Sequence, residues 1–366
     1  MKEIPRGYAH RPRLVALPPM SEMSRGPAAV KRYLTLTKSE IDRSAHLRIS
    51  GDHLTKHWQS ALIATVINGK FLTQANATGS NATGSNASGP NALVYRSAQE
   101  IESQARDGIS VNGNQLPLTS GEKFFLGIDP TTNESFFAWC TSTQDRKALD
   151  DDARFRSLRD IGALLSDRDG GIAVHTMGLA NWHHSHPFCA KCGASTRVEW
   201  GGAVRICTSC ESQHHPRTDA AVIVLVRDES DRILLGHQPS WPEHRFSTFA
   251  GFVEPGESFE QCVAREVAEE CGVVVHSINY LASQPWPFPA SLMIAFEATT
   301  SAPDAAKADG EEIAEVQWFS RQSMLDAIAA GKLLLPPQIS VSRRMIEYWY
   351  GENALVDLAA SEGKLP

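Results

Sequence analysis

Three glutamates, Glu266, Glu269 and Glu270, follow one another at offsets of three and four from Glu266 in the segment FEQCVAREVAEECG. At about 100° per residue of an α-helix, those offsets put all three carboxylates on one side. Like charges at i,i+4 repel by roughly 0.2–0.5 kcal/mol. The set is therefore either a solvated acidic face partly neutralised by Arg265 or a hard-oxygen site for Mg2+ or Mn2+, which would relieve the repulsion and bridge to phosphate oxygens. The glycine-rich turn GFVEPGE immediately upstream favours the metal reading. A second set is softer: Cys189, Cys192, Cys207 and Cys210 form two C-x2-C knuckles. Four converging thiolates suit one structural Zn2+ per chain, which is borderline-soft and imposes no ligand-field geometry. A redox pair and an iron centre are the alternatives. A closed four-thiolate site leaves no open position for water, so its metal is expected to stabilise a ribbon and not to hydrolyse anything. His183, His184, His186, His214 and His215 are then surface or supporting residues.

The elements that must position these groups can be read around them. Ser258 can cap the glutamate helix and Gly272 can end it. DAAVIVLVRDESDRILLGHQ reads as two strands joined by a polar turn, SLMIAFEATT and EVQWFS as further strands, and RQSMLDAIAAG and SRRMIEYWYG as closing helices. Strands with helices packed on them imply an α/β layered domain over 216–355, followed by a tail at 356–366. Upstream, apolar runs such as ALIATVI and SFFAWC alternate with turn-forming NGK, NGNQ and DPTTN, which predicts a β-rich domain over 38–160. It is interrupted at 76–90 by NATGSNATGSNASGP, a small-polar insertion expected to be disordered and solvent-exposed. Residues 1–37 carry prolines without a sustained period and are expected to form a loosely ordered leader. Linking helices are expected over 161–186, with Ile172, His175, Leu179 and Trp182 near one face, and the ribbon over 187–215.

Composition excludes several classes. The 35 basic and 42 acidic residues leave a net charge of −7, so there is no general basic field and no DNA partner is expected. The central apolar run Ala220–Val226 is far shorter than the roughly 20 residues of a spanning helix, and no membrane partner is expected. The start MKEIPRGYAHRPR has no apolar stretch behind its basic residues, which makes the cytoplasm the expected compartment and leaves the three N-x-Ser/Thr sequons of 76–90 unglycosylated.

The segment from Ala250 to Val273 resembles the Nudix hydrolase signature, G-x5-E-x7-R-E-U-x-E-E-x-G-U, at Gly251, Glu257, Arg265, Glu266, Val267, Glu269, Glu270, Gly272 and Val273. Downstream, SQPWPFPAS places three prolines in five positions, and a four-cysteine ribbon stands upstream. Together these resemble the NADH pyrophosphatase branch of the Nudix hydrolases, firmly over about 155–350. The resemblance implies a Nudix α/β/α sandwich with a mixed sheet, preceded by a zinc ribbon and a β-rich N-terminal domain. It also implies hydrolysis of NAD+ or NADH to nicotinamide mononucleotide and AMP, with attack at the AMP-side phosphorus, removal of NAD caps from RNA, and a homodimer.

Carried over by motif position, Glu266, Glu269, Glu270, the carbonyl of Ala250 and Glu312 would hold catalytic Mg2+ or Mn2+, with Glu311 and Glu315 as alternatives to Glu312. Gly251, Glu257 and Arg265 would support the loop–helix unit, Arg265 by pairing with Glu257. Phe252 would lie against the cofactor ring, unless it is an inward core anchor. Gln284, Trp286, Phe288 and Ser291 of the proline-rich loop and Ser342 of VSRRMIE would line the substrate cleft. His215 stands where members of the branch can carry a base-stacking tyrosine, and its smaller, titratable ring would make affinity depend on pH. Capped RNA would leave through an open exit near the adenosine end. The competing readings are a hydrolase of another nucleoside diphosphate such as ADP-ribose, and a zinc-ribbon nucleic-acid module carrying an inactive Nudix domain.

Overall fold

The computed structural model describes residue 30 and residues 34–74, 92–112 and 114–361. The 76–90 insertion, most of the leader and the last five residues of the tail lie outside the described residues. In the N-terminal part, α1 (Gly51–Gln59) starts at Ser50, whose side chain accepts the His53 N–H. There follow β1 (Leu62–Ile67), β2 (Lys70–Leu72), β3 (Tyr95–Arg96), α2 (Ala98–Asp107), β4 (Ile109–Val111), β5 (Asn114–Leu116), β6 (Glu122–Ile128), β7 (Ser135–Thr141), α3 (Arg146–Asp150), β8 (Phe155–Ser157) and α4 (Leu158–Ile161). The sheet order is β6-β7-β1-β2-β8, with β3 on β1, and β1 runs parallel to β7 with Leu62 opposite Phe136. Alternation along β1 sends Ile63 into a cluster with Trp58, Ile101 and Trp139, and Ala64 and Val66 into another with Phe124 and Phe136.

The helix α5 (Asp167–Ser185) leads out of this domain, capped by the Ser166 side chain. An apolar stripe was expected on one face, yet Ile172, Ala173, Met177, Leu179, Trp182 and His183 are all buried. The reason is that α5 is enclosed. Phe124 and Phe136 share its core, the His183 ring accepts a hydrogen bond from Arg205 in the ribbon, and Asn181 Nδ2 donates to the carbonyls of Pro287 and Pro289, at 2.9 and 3.0 Å. The ribbon itself is three short antiparallel strands, β9 (Thr196–Glu199), β10 (Val204–Cys207) and β11 (Gln213–His214), with β10 in the middle.

The C-terminal part comprises β12 (Asp219–Asp228), β13 (Ile233–His237), β14 (Phe249–Phe252), α6 (Phe259–Cys271), β15 (His276–Trp286), β16 (Ser291–Thr300), β17 (Glu315–Phe319), α7 (Arg321–Ala329), α8 (Val341–Tyr350) and α9 (Ala354–Asp357). Its sheet runs β15-β16-β12-β13-β17 with β14 on β12, and it is mixed because β12 and β16 are parallel, from Asp219 opposite Ser291 to Asp228 opposite Thr300. The apolar run of β12 is continuous because both faces are covered. Val222, Val224 and Val226 pack with Cys262, Val263 and Val267 of α6, while Ile223 and Leu225 pack with Met324, Met345, Ile346 and Trp349 of α7 and α8. This is the expected α/β/α sandwich.

Two segments expected to be peripheral differ where they are described. Val30 and Leu34, from the leader, belong to the core of the C-terminal sandwich, and Leu36 to that of the N-terminal sheet. Leu358 and Ser361, from the expected tail, are buried, and the Arg343 guanidinium donates to the Ser361 hydroxyl and the Leu358 carbonyl. Apolar residues spaced without a period carry no helix or strand signature, but they still bury where a surface has room for them.

Candidate active site and cysteine ribbon

The turn and helix that carry the glutamates are fixed locally before any long-range contact is made. Ser258 accepts the Gln261 N–H at 3.2 Å while the Gln261 side chain accepts the Ser258 N–H at 2.9 Å, a reciprocal cap. Gly272 ends α6 with φ 72°, in the left-handed region that glycine tolerates. Strand β14 pairs with β12, Val222 opposite Gly251, and so brings Gly251 against the helix. A β-carbon at Gly251 would overlap the Glu266 carboxylate, so any larger residue there would force that side chain to move.

Arg265 holds the unit together. Its Nε and Nη2 donate to the two oxygens of Glu257 at 2.6 and 2.9 Å, the two-pronged pairing the sequence suggested. Nη2 also donates to the Phe252 carbonyl at 3.0 Å, and Nη1 reaches Glu266 at 2.8 Å and Glu269 at 3.1 Å. The guanidinium holds the Glu257 carboxyl down to about 2. Glu266 and Glu270 behave oppositely. Burial pushes the Glu270 carboxyl up to about 8, with the charges of Glu266, Glu312 and Asp309 adding to the effect against one hydrogen bond from the Ala250 N–H at 3.3 Å. Burial likewise raises Glu266, against Arg265 and with Glu269 and Glu312. Two buried carboxylates on one helical face, with the charge of Glu312 bearing on both, are hard-oxygen donors of the kind a divalent cation takes.

Glu312, the outer acid chosen from the sequence, is exposed, and its charge bears on both buried carboxylates. Asp309 was missed. Its carboxylate accepts the N–H groups of Glu311, Glu312 and Ile313 at 3.2, 3.1 and 2.8 Å and so shapes the loop that carries Glu312. The Asp-Gly pair at 309–310 is the turn signal that could have revealed it.

The expected substrate residues divide into two groups. Phe252 is 59% exposed at the end of β14, which argues against an inward core anchor. His215 is exposed and follows the last ribbon strand, whereas His214 points its Nε2 at Cys189 Sγ, 3.3 Å away. Trp286 and Phe288 meet edge to face at 4.9 Å and pack against the N-terminal core, with the Arg159 guanidinium over both rings. Ser291 opens β16 opposite Trp286, half-buried.

Gln284 and Ser342 differ from expectation. Gln284 is fully buried: its Nε2 donates to the carbonyls of Thr35 and Ile339 at 2.9 and 2.8 Å, and its Oε1 accepts the Val341 N–H at 2.9 Å. Ser342 is buried with its hydroxyl bonded to Ser247, Thr248 Oγ1 and the Thr248 N–H. Both are occupied as ties between chain segments and offer no free group to a ligand. SQPW also proves to be the end of strand β15 and not a loop. Its proline, Pro285, is accommodated because β15 is the edge of the sheet.

In the ribbon, the four Sγ atoms of Cys189, Cys192, Cys207 and Cys210 lie within 4.8 Å of one another, with pairs at 3.5–3.7 Å. A tetrahedral site with bonds of about 2.3 Å requires sulfurs roughly 3.8 Å apart, so the cluster fits a zinc ion. Behind it, Arg205 donates to His183 Nδ1 at 2.8 Å. A guanidinium cannot accept, so Nδ1 is bare and Nε2–H donates to the Gly202 carbonyl at 2.8 Å. Burial, with the nearby Arg205 charge, lowers this imidazole to about 4 and keeps it neutral.

Residues 216–336 match the family model described as NUDIX domain. With the sandwich and the turn–helix carboxylate unit, this makes that part of the chain a Nudix domain. Over 200 residues the chain is 44% identical to "NAD-capped RNA hydrolase NudC" of Mycobacterium bovis and of Mycobacterium tuberculosis, covering 52% of this chain and 64% of each relative. It is 34% identical over 243 residues to "NAD-capped RNA hydrolase NUDT12" of Homo sapiens, covering 63% of this chain and 50% of that protein. The chain thus spans less than two thirds of the length of these relatives. Among solved structures, a Nudix hydrolase from Nitrosomonas europaea is 26% identical over 37% of this chain and 78% of its own, with a TM-score of 0.33.

Proposed function

We propose that the chain is a metal-dependent diphosphatase that cleaves NAD+ and NADH to nicotinamide mononucleotide and AMP and removes NAD caps from RNA. The observation that carries the reading is the turn–helix unit, in which Gly251 lies against the Glu266 carboxylate, Glu266 and Glu270 stand one helical turn apart, and Arg265 anchors Glu257. Glu266, Glu269 and Glu270, with the Ala250 carbonyl and Glu312, would hold Mg2+ or Mn2+; such an ion, when bound, neutralises pyrophosphate charge and acidifies a bound water. Arg265 keeps the glutamates in register, Glu270 presents a carboxylate where the attacking water must be oriented, and the exposed Phe252 ring offers a face to a base. Attack at the AMP-side phosphorus would release nicotinamide mononucleotide. The similarity to NAD-capped RNA hydrolases supports the same substrates.

Four thiolates suited to one zinc fit a reducing compartment, and the cytoplasm is the proposed location. No described helix is long and apolar enough to cross a membrane. A homodimer is proposed as the assembly, to be checked by mass in solution. The deciding experiment incubates the purified chain with NADH, NAD+, NAD-capped RNA or ADP-ribose, with Mg2+ or Mn2+, and resolves the products by chromatography. Nicotinamide mononucleotide from NADH is expected; cleavage of ADP-ribose with no attack on the other three would overturn the assignment.

A further inference from the structure

A cleft of about 330 Å³ opens between the N-terminal sheet, α5 and the start of β12, at the lower end of the size range of ligand pockets. Arg43, Arg48, His175 and Arg217 stand on its wall, Trp286 and Ser291 face it from the other side, and no carboxylate lines it. Arg217 is already paired with Asp219 at 2.9 Å. Arg43 and Arg48 are different: among the described residues neither forms an ion pair. Arg48 donates Nη2 to the Arg43 carbonyl at 3.0 Å and leaves its buried Nε without an acceptor. Burial pulls Arg48 below the usual arginine range and the Arg43 charge pulls it further; burial and then both arginines lower His175. In a chain of net charge −7, cations crowded together with no acid between them mark a place that an anion would relieve.

We infer that this cleft binds a phosphate of the polynucleotide part of a capped RNA, with Arg43 and Arg48 as the contacts and Trp286 as the aromatic wall across from them. The inference rests on the proposed activity for its choice of ligand. Position ties it to the turn: Thr218, on the cleft wall, immediately precedes β12, and that strand leads on to Ala221, which pairs with Phe252 at the catalytic turn. Three residues of extended chain put about 10 Å of backbone between the two places. Two arginines suit phosphate, and a tryptophan across the cleft from them suits a neighbouring base better than inorganic phosphate would need.

The test uses the full chain with its zinc and no added Mg2+ or Mn2+. Binding of a fluorescently labelled, uncapped single-stranded RNA is measured by anisotropy at several salt concentrations, for wild type, Arg43→Gln, Arg48→Gln and the double variant, with inorganic phosphate and AMP as competitors. The double variant is expected to bind at least tenfold more weakly, and the salt slope to flatten by about 0.7 for each phosphate that the variant no longer holds. Displacement by AMP at millimolar concentration would assign the site to a single nucleotide, and displacement only by longer RNA to the chain; displacement by inorganic phosphate alone would overturn the nucleotide assignment. NADH hydrolysis, assayed separately with metal, should be unchanged in all variants and reports that they fold. Equal RNA affinity in wild type and a folded double variant overturns the inference. RNA binding that depends on the arginines in a protein inert toward NADH would sink the proposed activity and leave the site standing.

Discussion

The cysteine ribbon and the glutamate helix are built on opposite plans. In the ribbon, four cysteines from two knuckles stand at nearly the spacing a tetrahedral ion needs, and the Arg205–His183 hydrogen bond ties the middle ribbon strand to α5. In the Nudix domain, the carboxylates are unequal: Glu270 is nearly buried, Glu266 shares an arginine, and the Glu269 side chain is 61% exposed. A site complete in itself can only stabilise, whereas a site whose donors are incompletely neutralised can accept both a cation and a charged substrate. The same chain would thus separate a metal that shapes it from a metal that works in it.

That contrast is most sharply broken at Glu270. Glu270→Gln keeps the shape and removes a charge, and turnover on NADH should fall by roughly a hundredfold or more while zinc content stays at one per chain. Retention of full rate, with metal binding verified, would dissolve the distinction. Next comes the ribbon: Cys192→Ser should drop zinc below half an equivalent and lower the melting temperature, while the rate per folded molecule changes only a few-fold. A loss of rate as large as that of Glu270→Gln at unchanged stability would put the ribbon into the chemistry.

Gly251→Ala tests how closely the turn must approach the helix. The new methyl must displace the Glu266 carboxylate, so activity should fall about tenfold and stability by about 1–3 kcal/mol; wild-type kinetics in this variant would mean that the approach is dispensable. The smallest effect is expected at His183. Its folded value of about 4 lies below the ordinary 6.5, so the unfolded chain binds more protons between the two. The stability it contributes is whole above pH 6.5, is lost as pH falls toward 4, and is flat below, at most ~3 kcal/mol in all. Melting curves of wild type and His183→Gln should converge over that window, and a constant gap from pH 7 to 4 would contradict the neutral, buried imidazole.

What could be read from the sequence was what is decided within a few residues. Ser258, Gly272 and the glutamate spacing define a capped helix without reference to anything distant, and the unbroken apolar run of β12 announces a strand covered on both faces. Two C-x2-C knuckles fix the ribbon in the same way. The errors lie where partners are far apart in sequence. Nothing near Gln284 indicates that its amide will be taken by Thr35, 249 residues earlier, and by Ile339. Leu34 gives no periodic signal, yet it fills part of a core made by residues near 223 and 345. Asp309 was hidden for a different reason: three further acids follow it within six residues, and only the loop geometry distinguishes the one that accepts backbone N–H groups from the one whose charge meets the helix.

The Gln284 tie also bears on how the molecule can be divided. One amide joins an early segment of the chain to the loop before α8, and Val30 and Leu34 complete an apolar core otherwise made of Nudix residues. The boundary at 216, where the match to the family model begins, is therefore not a boundary of folding. A fragment cut there would begin life with an open seam along its hydrophobic interior and a carboxamide stripped of one acceptor. The packing sews the matched domain to the chain upstream of it.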